Sequence, residues 1–241
     1  MKIALIGYGK MGKAIEDVAV QRGHEIVLKI DIGNLSQFNE ITLAKADVAI
    51  EFTTPHSAYQ NIMTCLEAGT AVVSGTTGWL SKFEEVVKFC REHNGSFLYA
   101  SNFSVGVNIF FEINKLLARL MSNQSEYNAR LKEIHHTEKK DAPSGTAITL
   151  AEQIIEKIPR KLKWVNQASA DPGDLEIISE RIDPEAGTHL VRYSSAIDDI
   201  EISHIAHNRK GFAIGAVLAA EFLKGKKGTY TMKDVLAFDL K

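Results

Sequence analysis

The residue types most capable of chemistry are concentrated in one stretch, residues 133–147, which reads EIHHTEKKDAPSGTA. It contains the adjacent histidines His135 and His136, followed by the adjacent lysines Lys139 and Lys140. A Pro-Ser-Gly-Thr sequence then leads into a predicted helix, whose free N–H groups form an anion site. Protonated lysine and histidine side chains add positive charge and donate protons. The stretch therefore favours a small substrate that carries carboxylates and needs a proton.

Simpler interpretations of the same residues stay open. Paired histidines are more often surface or packing residues than catalysts, and Lys140 fits a solvated loop lysine. A metal site is disfavoured, because adjacent residues such as His135 and His136 point to opposite faces of a strand. No cysteine lies nearby, and no H-E-x-x-H sequence occurs. We therefore predict that no metal is bound.

A second candidate group is a glycine loop of the form G-x-G-x-x-G, made by Gly7-Tyr8-Gly9-Lys10-Met11-Gly12. It follows an apolar strand pattern and opens an amphipathic helix, which is the context that dinucleotide binding requires. The glycines allow a tight turn, close approach of the backbone to a pyrophosphate, and close packing of helix on strand. The alternative is a glycine-rich turn that starts an ordinary βα unit.

Asp31 lies at the end of the second predicted strand, 19 residues after Gly12. A carboxylate at this position accepts hydrogen bonds from the adenosine ribose hydroxyls and repels a 2′-phosphate. The next residue is Ile32, and no arginine follows that would neutralise that phosphate. We therefore predict NADH as the preferred cofactor and leave the use of NADPH open.

Small polar residues also follow the third and fourth predicted strands. Thr53 comes after the third strand, and Gly75-Thr76-Thr77-Gly78 comes after the fourth. Ligands of open α/β sheets bind beyond the carboxyl ends of the strands, so these residues could contact the nicotinamide half of the cofactor. Turn formation or helix capping is the alternative interpretation.

The stretch 133–147 resembles the signature E-[IL]-H-H-x-x-K-x-D-A-P-S-G-T-A of the 4-hydroxy-tetrahydrodipicolinate (dihydrodipicolinate) reductase family. Residues 75–78, 100–108 and 204–216 are similar to further family segments in family order, so the resemblance covers essentially the whole chain. It implies NAD(P)H-dependent reduction of (4S)-4-hydroxy-2,3,4,5-tetrahydrodipicolinate to (S)-2,3,4,5-tetrahydrodipicolinate. Water is lost in this reaction, which belongs to diaminopimelate and lysine biosynthesis.

The resemblance also implies roles for individual residues. His135 is expected to donate and accept a proton, and Lys139 is expected to donate a proton and pair with a carboxylate. Substrate binding is implied for the second histidine and the helix start, at His136, Ser144, Gly145 and Thr146. Further cofactor contacts are implied at Gly75, Thr76, Thr77, Ala100, Ser101, Asn102 and Phe103.

The chain departs from the family pattern on the adenosine side of the cofactor. Many members have a glycine loop one residue longer, G-x-x-G-x-M-G, and a basic pattern after the second strand that gives dual cofactor use. Asp31-Ile32 lacks that arginine, although Lys10 could still reach a phosphate. The linker over about 32–46 is also short, which trims the adenine side.

The elements that must position these residues fall into two patterns. Strands and helices alternate over the first half, and near-continuous apolar strands of this kind predict a Rossmann-type, doubly wound parallel sheet. After about residue 104 the chain continues with a long helix over 105–121, an extended run over 127–135 and a helix over about 146–158. Three strand-like runs follow, at 175–182, 188–195 and 199–206. Strands in succession predict an α+β unit with a largely antiparallel or mixed sheet.

The tail returns to helix at 212–222 and near 231–237, which allows it to pack back onto the first sheet. We therefore predict a dinucleotide-binding domain over 1–104 and 209–241, with an inserted domain over 105–208. The resemblance implies that the inserted domain binds substrate and that its sheet forms a homotetramer.

Composition narrows the choice of partner and location. The 241 residues carry a formal charge of −2 with no basic excess, which disfavours a nucleic-acid partner. No stretch approaches the ~20 apolar residues of a membrane span. No signal-peptide pattern precedes Gly7, and the chain has two cysteines, Cys65 and Cys90. We therefore predict a cytoplasmic protein with free thiols.

Two other function classes share the glycine loop. One is another Rossmann oxidoreductase acting on an amino-acid-like substrate, such as an aspartate or homoserine dehydrogenase, which is not expected to show the 133–147 signature. The other is a non-enzymatic nicotinamide-binding redox sensor. A sensor has no reason to keep His135, Lys139 and the loop at 144–146 together.

Overall fold

The computed structural model describes residues 1–208 and 210–238, so the predicted return point near Arg209 and the last three residues lie outside the described residues. In chain order the elements are β1 (Lys2–Ile6), α1 (Lys10–Gln21), β2 (Glu25–Ile30), α2 (Glu40–Leu43), β3 (Val48–Glu51), α3 (Pro55–Glu67), β4 (Ala71–Ser74), α4 (Phe83–Glu92), β5 (Ser96–Tyr99), α5 (Val105–Met121), β6 (Asn128–His135), α6 (Gly145–Lys157), β7 (Lys163–Val165), β8 (Asp174–Arg181), β9 (Thr188–Ser194), β10 (Asp199–Ile205), α7 (Lys210–Leu223), β11 (Gly228–Tyr230) and α8 (Met232–Leu236). Short 3₁₀ turns lie at Ile32–Gln37 and Leu80–Lys82.

The chain divides into two compact units, one formed by Met1–Val105 with Lys210–Lys241 and the other by Gly106–Arg209. The first unit contains a six-stranded parallel sheet in the order β11-β5-β4-β3-β1-β2. Helices α1 and α7 pack on one face of this sheet, and α3 and α4 pack on the other. Burial on both faces accounts for the continuous apolar strands, and the predicted Rossmann-type fold is confirmed.

The strand order of the first unit reverses next to β1. The chain passes from β1 to β2 on one side and then to β3 on the other side of β1. The loops that follow β1 and β3 therefore leave the sheet side by side at its carboxyl edge. Such a switch point is where open α/β sheets bind their ligands.

The second unit contains a mixed five-stranded sheet in the order β10-β9-β6-β8-β7. Strands β6, β8 and β7 run parallel, whereas β9 runs antiparallel to both β6 and β10. Helices α5 and α6 bury one face around Leu131, Ile177 and Val191. The other face, here called the open face, presents half-buried or exposed side chains, namely Lys132, Ile134, Ile178, Glu180, Leu190 and Arg192.

Three elements have no counterpart in the predicted pattern. These are α2 and the three-residue strands β7 and β11. Strand β11 becomes the sixth strand of the first sheet because it pairs with β5, which lies more than 120 residues earlier in the chain. So short a run has no readable alternation, and its extended conformation depends on that pairing. Among the described residues, no helix is both long enough and apolar enough to cross a membrane.

Candidate active site

Strand β6 places the first of the candidate catalytic residues. Side chains alternate along a strand, so Glu133 and His135 share the helix-covered face with Leu131, and all three are buried. Strand pairing sets Arg181 of β8 beside His135, and His189 of β9 beside Glu133. The sheet therefore brings together four polar side chains from three strands.

Glu133 lies at the centre of this group and is fully buried. Its Oε2 atom is 3.2 Å from Nδ1 of His135, and its Oε1 atom is 3.2 Å from Nη2 of Arg181. The backbone N–H of Ser144 donates to both carboxylate oxygens at 3.1 Å. Burial alone would raise the pKa of Glu133, but the His135 ring and the Ser144 hydrogen bonds outweigh it and hold that pKa well below its usual range. Glu133 is therefore ionised.

Arg181 connects Glu133 to the loop that carries Lys139. Its guanidinium donates to the backbone carbonyls of Asp141 at 2.6 Å and Lys139 at 3.3 Å. The ammonium of Lys139 in turn donates to both carboxylate oxygens of Asp141, at 2.8 and 2.9 Å. His135 and Lys139 thus belong to one network of ion-pair contacts and hydrogen bonds, in which the Lys139 ammonium is held by Asp141.

The start of α6 forms the next part of the site. Ser144 is the N-cap, and its Oγ atom accepts the N–H of Ala147 at 3.2 Å and lies 3.1 Å from Nε2 of His189. A Cβ atom added at Gly145 would meet no atom within 4 Å, so the first turn is open there. The positive end of a 13-residue helix is therefore accessible to an anion next to Gly145 and Thr146.

The ligand atoms of Glu133, His135 and His189 all lie within 4.8 Å of one another, which is a spacing that could hold a metal ion. The carboxylate already accepts from Ser144, and the positive guanidinium of Arg181 lies beside it. A divalent cation would have to displace these donors and face that charge. Hydrogen bonding explains the group better, and the absence of a metal stays a prediction.

Two further residues border the His135 ring and the loop after it. Gly187 has a φ of +152°, and a Cβ atom at this position would lie 3.2 Å from Nε2 of His135. Glycine therefore leaves the Nε2 edge of the ring clear. His136 is half-buried beside Thr137, whose N–H and hydroxyl donate to Asp183 at 3.0 and 2.6 Å.

The glycine loop of the first unit has the shape that a dinucleotide needs. Gly7 has a φ of +97°, and a Cβ atom there would lie 2.0 Å from the carbonyl oxygen of Phe52. A Cβ atom at Gly12 would lie 2.3 Å from the carbonyl oxygen of Gly7. At Gly9, the N-cap of α1, a Cβ atom would meet nothing within 4 Å. The open backbone at this helix start fits a pyrophosphate.

Asp31 and Tyr8, two other residues predicted on the adenosine side, have hydrogen-bond partners within the protein. Asp31 is exposed and caps the 3₁₀ turn after β2 by accepting the N–H of Ile32 at 2.8 Å. The hydroxyl of Tyr8 donates to Glu16. Lys10 is exposed at the start of α1, and Met11 is half-buried against the core.

A buried carboxylate at the end of β3 organises the predicted nicotinamide side. Glu51 is fully buried and accepts hydrogen bonds from the N–H of Thr53 at 3.0 Å, the hydroxyl of Ser74 at 2.6 Å and the hydroxyl of Thr76 at 2.8 Å. The Thr53 hydroxyl also donates to it. Thr53 and Thr76 are therefore fixed side by side at the carboxyl edge of the sheet, whereas Thr77 is exposed.

The segment after β5 lies at the same edge. The N–H of Ala100 donates to the carbonyl of Ser74 at 3.3 Å, and Asn102 accepts the N–H of Ser104 at 2.9 Å. Ser101 is exposed. Phe103 is 1% exposed, and its ring packs in the core against Phe52. This contact attaches the segment to the core of the first unit. Gly75 abuts the Phe52 ring, because a Cβ atom there would lie 2.2 Å from it.

Glu133, Arg181, His189 and Glu51 belong to these networks but were not among the site residues predicted from the sequence. Glu133 carried a usable signal, since a residue two positions before His135 on a strand shares its face. Arg181 and His189 had no local signal, because strand pairing alone brings them to β6.

Comparison with known proteins identifies the family. Residues 1–103 match the family model described as dihydrodipicolinate reductase, N-terminus, and residues 106–236 match dihydrodipicolinate reductase, C-terminus. The chain is 48% identical to the 4-hydroxy-tetrahydrodipicolinate reductase of Christiangramia forsetii, with 98% of each chain covered. It is 33% identical to the enzyme of that name from Neisseria gonorrhoeae, over 93% of this chain and 84% of that one.

A solved structure supports the fold. The dipicolinate-bound dihydrodipicolinate reductase from Paenisporosarcina sp. TG-14 superposes with a TM-score of 0.78 at 24% identity, covering 97% of this chain and 98% of that one. The resemblance found in the sequence is confirmed, and with it the assignment as an oxidoreductase that uses a nicotinamide cofactor. From these matches along both units, we conclude that the chain belongs to the dihydrodipicolinate reductase family.

Proposed function

We propose that this chain reduces (4S)-4-hydroxy-2,3,4,5-tetrahydrodipicolinate to (S)-2,3,4,5-tetrahydrodipicolinate, with NADH as the preferred reductant. The reaction takes up one hydride and one proton and releases one water. The observation that carries the proposal is the network in which buried Glu133 joins His135 to the start of α6 and, through Arg181, to the Lys139 loop. This network brings three groups together within one unit. They are His135 as the proton-transfer group, the Lys139 ammonium as a cationic contact, and the N–H groups at the start of α6 as an anion site.

Each part of the network has a task in this reaction. His135 exchanges a proton at Nε2, the edge that Gly187 leaves clear. One substrate carboxylate binds at the first turn of α6, near Gly145 and Thr146, with Ser144 as its cap and His136 as a further contact. Lys139 binds the other carboxylate and donates a proton; to do so its ammonium must exchange Asp141 for the substrate.

We propose that the first unit binds the dinucleotide and the second binds the substrate. The nicotinamide, when bound, supplies the hydride. The open backbone at Gly9 receives the pyrophosphate, and Thr53 and Thr76, fixed by Glu51, border the nicotinamide together with the segments at 75–77 and 100–103. The exposed carboxylate of Asp31 supports NADH over NADPH, because it repels a 2′-phosphate.

The decisive experiment is an assay coupled to the synthase that makes the substrate, following NADH and NADPH oxidation separately. We expect oxidation of both, with the lower KM for NADH. Absence of oxidation with either cofactor would rule out the proposed reaction.

The cofactor preference is tested by Asp31→Asn, which keeps the oxygen that accepts the Ile32 N–H but removes the charge. We expect the KM for NADH to rise about tenfold, because charged hydrogen bonds contribute about 1.5–3 kcal/mol, while the KM for NADPH stays the same or falls. Equal effects on both cofactors would show that Asp31 does not contact the ribose.

The family resemblance further supports a homotetramer that works in the cytoplasm. Both cysteines, Cys65 and Cys90, are free and buried, as suits a reducing compartment. The open face of the second unit supplies a sheet surface through which copies of the chain could associate.

A further inference from the structure

We propose that Glu133 is the positioning residue of the proton-transfer histidine: its buried carboxylate keeps Nδ1 of His135 protonated, so that Nε2 is the atom that exchanges a proton with the substrate. This inference rests on the proposed function, since it takes His135 as the proton-transfer group. It adds a residue that orients the ring and sets its tautomer, and it connects that residue to the substrate anion site.

The geometry around the ring leaves one role for each nitrogen. His135 Nδ1 is buried and has no aligned hydrogen-bond partner among the described residues, although Glu133 Oε2 lies 3.2 Å away. Contacts of this kind often tighten only when substrate binds. Nε2 lies on the opposite edge of the ring, where Gly187 leaves space. An N–H at Nδ1 therefore has an ionised acceptor at contact distance, and Nε2 is left for exchange.

Two hydrogen-bond donors from different elements hold the Glu133 carboxylate in place. Ser144 donates its N–H at the start of α6, and Arg181 donates from β8. Glu133 is therefore fixed from two directions and in turn fixes the ring. The same carboxylate contacts both the start of α6 and the His135 ring. A shift of the helix start would therefore move the carboxylate and change its contact with Nδ1 of His135.

The charges around the ring agree with this role. The titratable and charged groups that face the pair are Arg181 from β8, His189 from β9, and Lys139 with Asp141 from the loop after β6. His189 contacts the His135 ring edge-to-face at 5.0 Å, and it is neutral, because burial and its histidine neighbour lower its pKa to about 3. Lys139 and Asp141 form a pair with each other, so Glu133 is the negative charge in direct contact with the ring.

In the proposed step the Nε2–H bond of the imidazolium breaks and the proton moves to the substrate, while Nδ1 keeps its proton. The electron pair of the broken bond stays on Nε2. The ring changes from cation to neutral imidazole beside a carboxylate whose charge does not change. In the reverse direction, Nε2 takes a proton and the Glu133 charge stabilises the cation that forms.

The tautomer is tested directly by NMR of protein labelled with 15N-histidine at a pH where the rings are neutral. The His135→Gln variant identifies the His135 resonances by their loss. We expect a protonated Nδ1 and a bare Nε2 in the native protein. A protonated Nε2 with a bare Nδ1 would overturn the proposal, and this measurement requires no variant of Glu133 to fold.

The kinetic test uses Glu133→Gln, whose amide oxygen can still accept the Ser144 N–H. We expect kcat to fall about 10²-fold, with a substrate KM within about threefold of the native value, because the loss is in proton transfer. We also expect the alkaline limb of the kcat profile to move to lower pH, since the imidazolium loses its counter-charge. A fall in kcat with an unmoved pH profile would overturn the proposal.

The matched control is Glu176→Gln. Glu176 is also a buried carboxylate of the second unit, with an arginine partner, Arg130 at 3.1 Å, and a backbone N–H donor, Ser169 at 3.0 Å. The Glu176→Gln substitution makes the same chemical change at a buried carboxylate that does not contact His135. We expect native kcat and an unchanged pH profile of kcat in Glu176→Gln. If this control showed the same shift of the pH profile as Glu133→Gln, a specific role for Glu133 would be contradicted.

A double variant separates this inference from the proposed function. His135→Gln alone should lower kcat about 10²–10³-fold, and native turnover in that variant would remove His135 from the mechanism. If His135 acts and Glu133 works through it, adding Glu133→Gln to His135→Gln should cost less than threefold more. A full additional 10²-fold loss would leave the proposed function standing and overturn the positioning role.

Discussion

Two carboxylates of the candidate site lie in direct contact with basic side chains. Glu133 faces His135 at 3.2 Å, and Asp141 holds the Lys139 ammonium at 2.8 Å. The two acids differ in burial, since Glu133 is fully buried and Asp141 is exposed. Breaking the exposed Lys139–Asp141 pair therefore costs less desolvation than breaking the contacts of Glu133, which agrees with the proposed exchange of Asp141 for a substrate carboxylate.

We expect Lys139→Ala to lower kcat and to raise the substrate KM, with kcat/KM falling about 10²–10³-fold. In the proposed mechanism this one side chain supplies both a proton and a charged contact to a carboxylate, so its loss affects both constants. Steady-state kinetics with (4S)-4-hydroxy-2,3,4,5-tetrahydrodipicolinate as the varied substrate would measure kcat and KM.

The adjacent Lys140 provides the control for that variant. Lys140 is exposed, and Lys140→Ala makes the same change of charge one residue away. We expect kinetics within about twofold of the native protein. An unchanged KM in Lys139→Ala would contradict the carboxylate-binding role.

At the scale of elements, strand pairing and a helix start assemble the site. Strand β6 carries Glu133 and His135 on one face, and β8 and β9 bring Arg181 and His189 to it. The N-cap of α6, Ser144, donates its N–H to Glu133. The elements therefore depend on one another, because a shift of β6 by one residue would turn the site face outwards.

The burial of His189 between these strands predicts how stability depends on pH. The folded ring stays neutral down to about pH 3, because burial and the neighbouring His135 lower its pKa to about 3, whereas an unfolded histidine protonates near 6.5. Between these values the unfolded state binds the extra proton. The free energy of unfolding therefore falls as pH drops below 6.5, with a slope of up to about 1.4 kcal/mol per pH unit.

Urea unfolding of His189→Gln at pH 8, 6 and 5 would measure this effect. We expect the variant to be less stable than the native chain at pH 8 but to lose less stability on acidification. His56→Gln, which replaces an exposed histidine of the first unit, should keep the native slope. Parallel pH dependence in the native chain and His189→Gln would contradict the buried, neutral state of His189.

At the scale of the molecule, two units with separate cores share one chain. The first is a parallel sheet covered by helices on both faces, and the second is a mixed sheet covered on one face only. On its open face, apolar side chains such as Ile178 and Leu190 alternate with charged ones such as Lys132 and Arg192. A surface of this composition is suited to association between copies of the chain.

We expect the native protein to form a homotetramer of about 106 kDa, four times 26.6 kDa. Leu190→Glu should shift the mass towards smaller species, because it places a charge on the open face. Sedimentation velocity would measure the masses. Ile41→Glu, which replaces a side chain that is 78% exposed on the first unit, serves as control and should stay tetrameric. A tetrameric Leu190→Glu would exclude the open face as the interface.

Several features of the molecule were predicted from local sequence. The order of residue types within short segments was enough to predict the glycine loop, the parallel sheet and the helix over 105–121. The same holds for the choice of His135 and Lys139 as candidate residues. Hydrophobic periodicity and a long polar signature report such local order directly. The family match confirms the assignment made from these segments.

Other features were decided only by the tertiary structure. Arg181 and His189 lie 46 and 54 residues after His135, and only the pairing of β8 and β9 with β6 brings them to the site. Strand β11 exists as a strand because β5 offers it a partner. The sequence by itself determined which chemical groups are present and which fold carries them. The tertiary structure decided which of them touch, because hydrogen bonds and buried charges depend on distances that the order of residues does not encode.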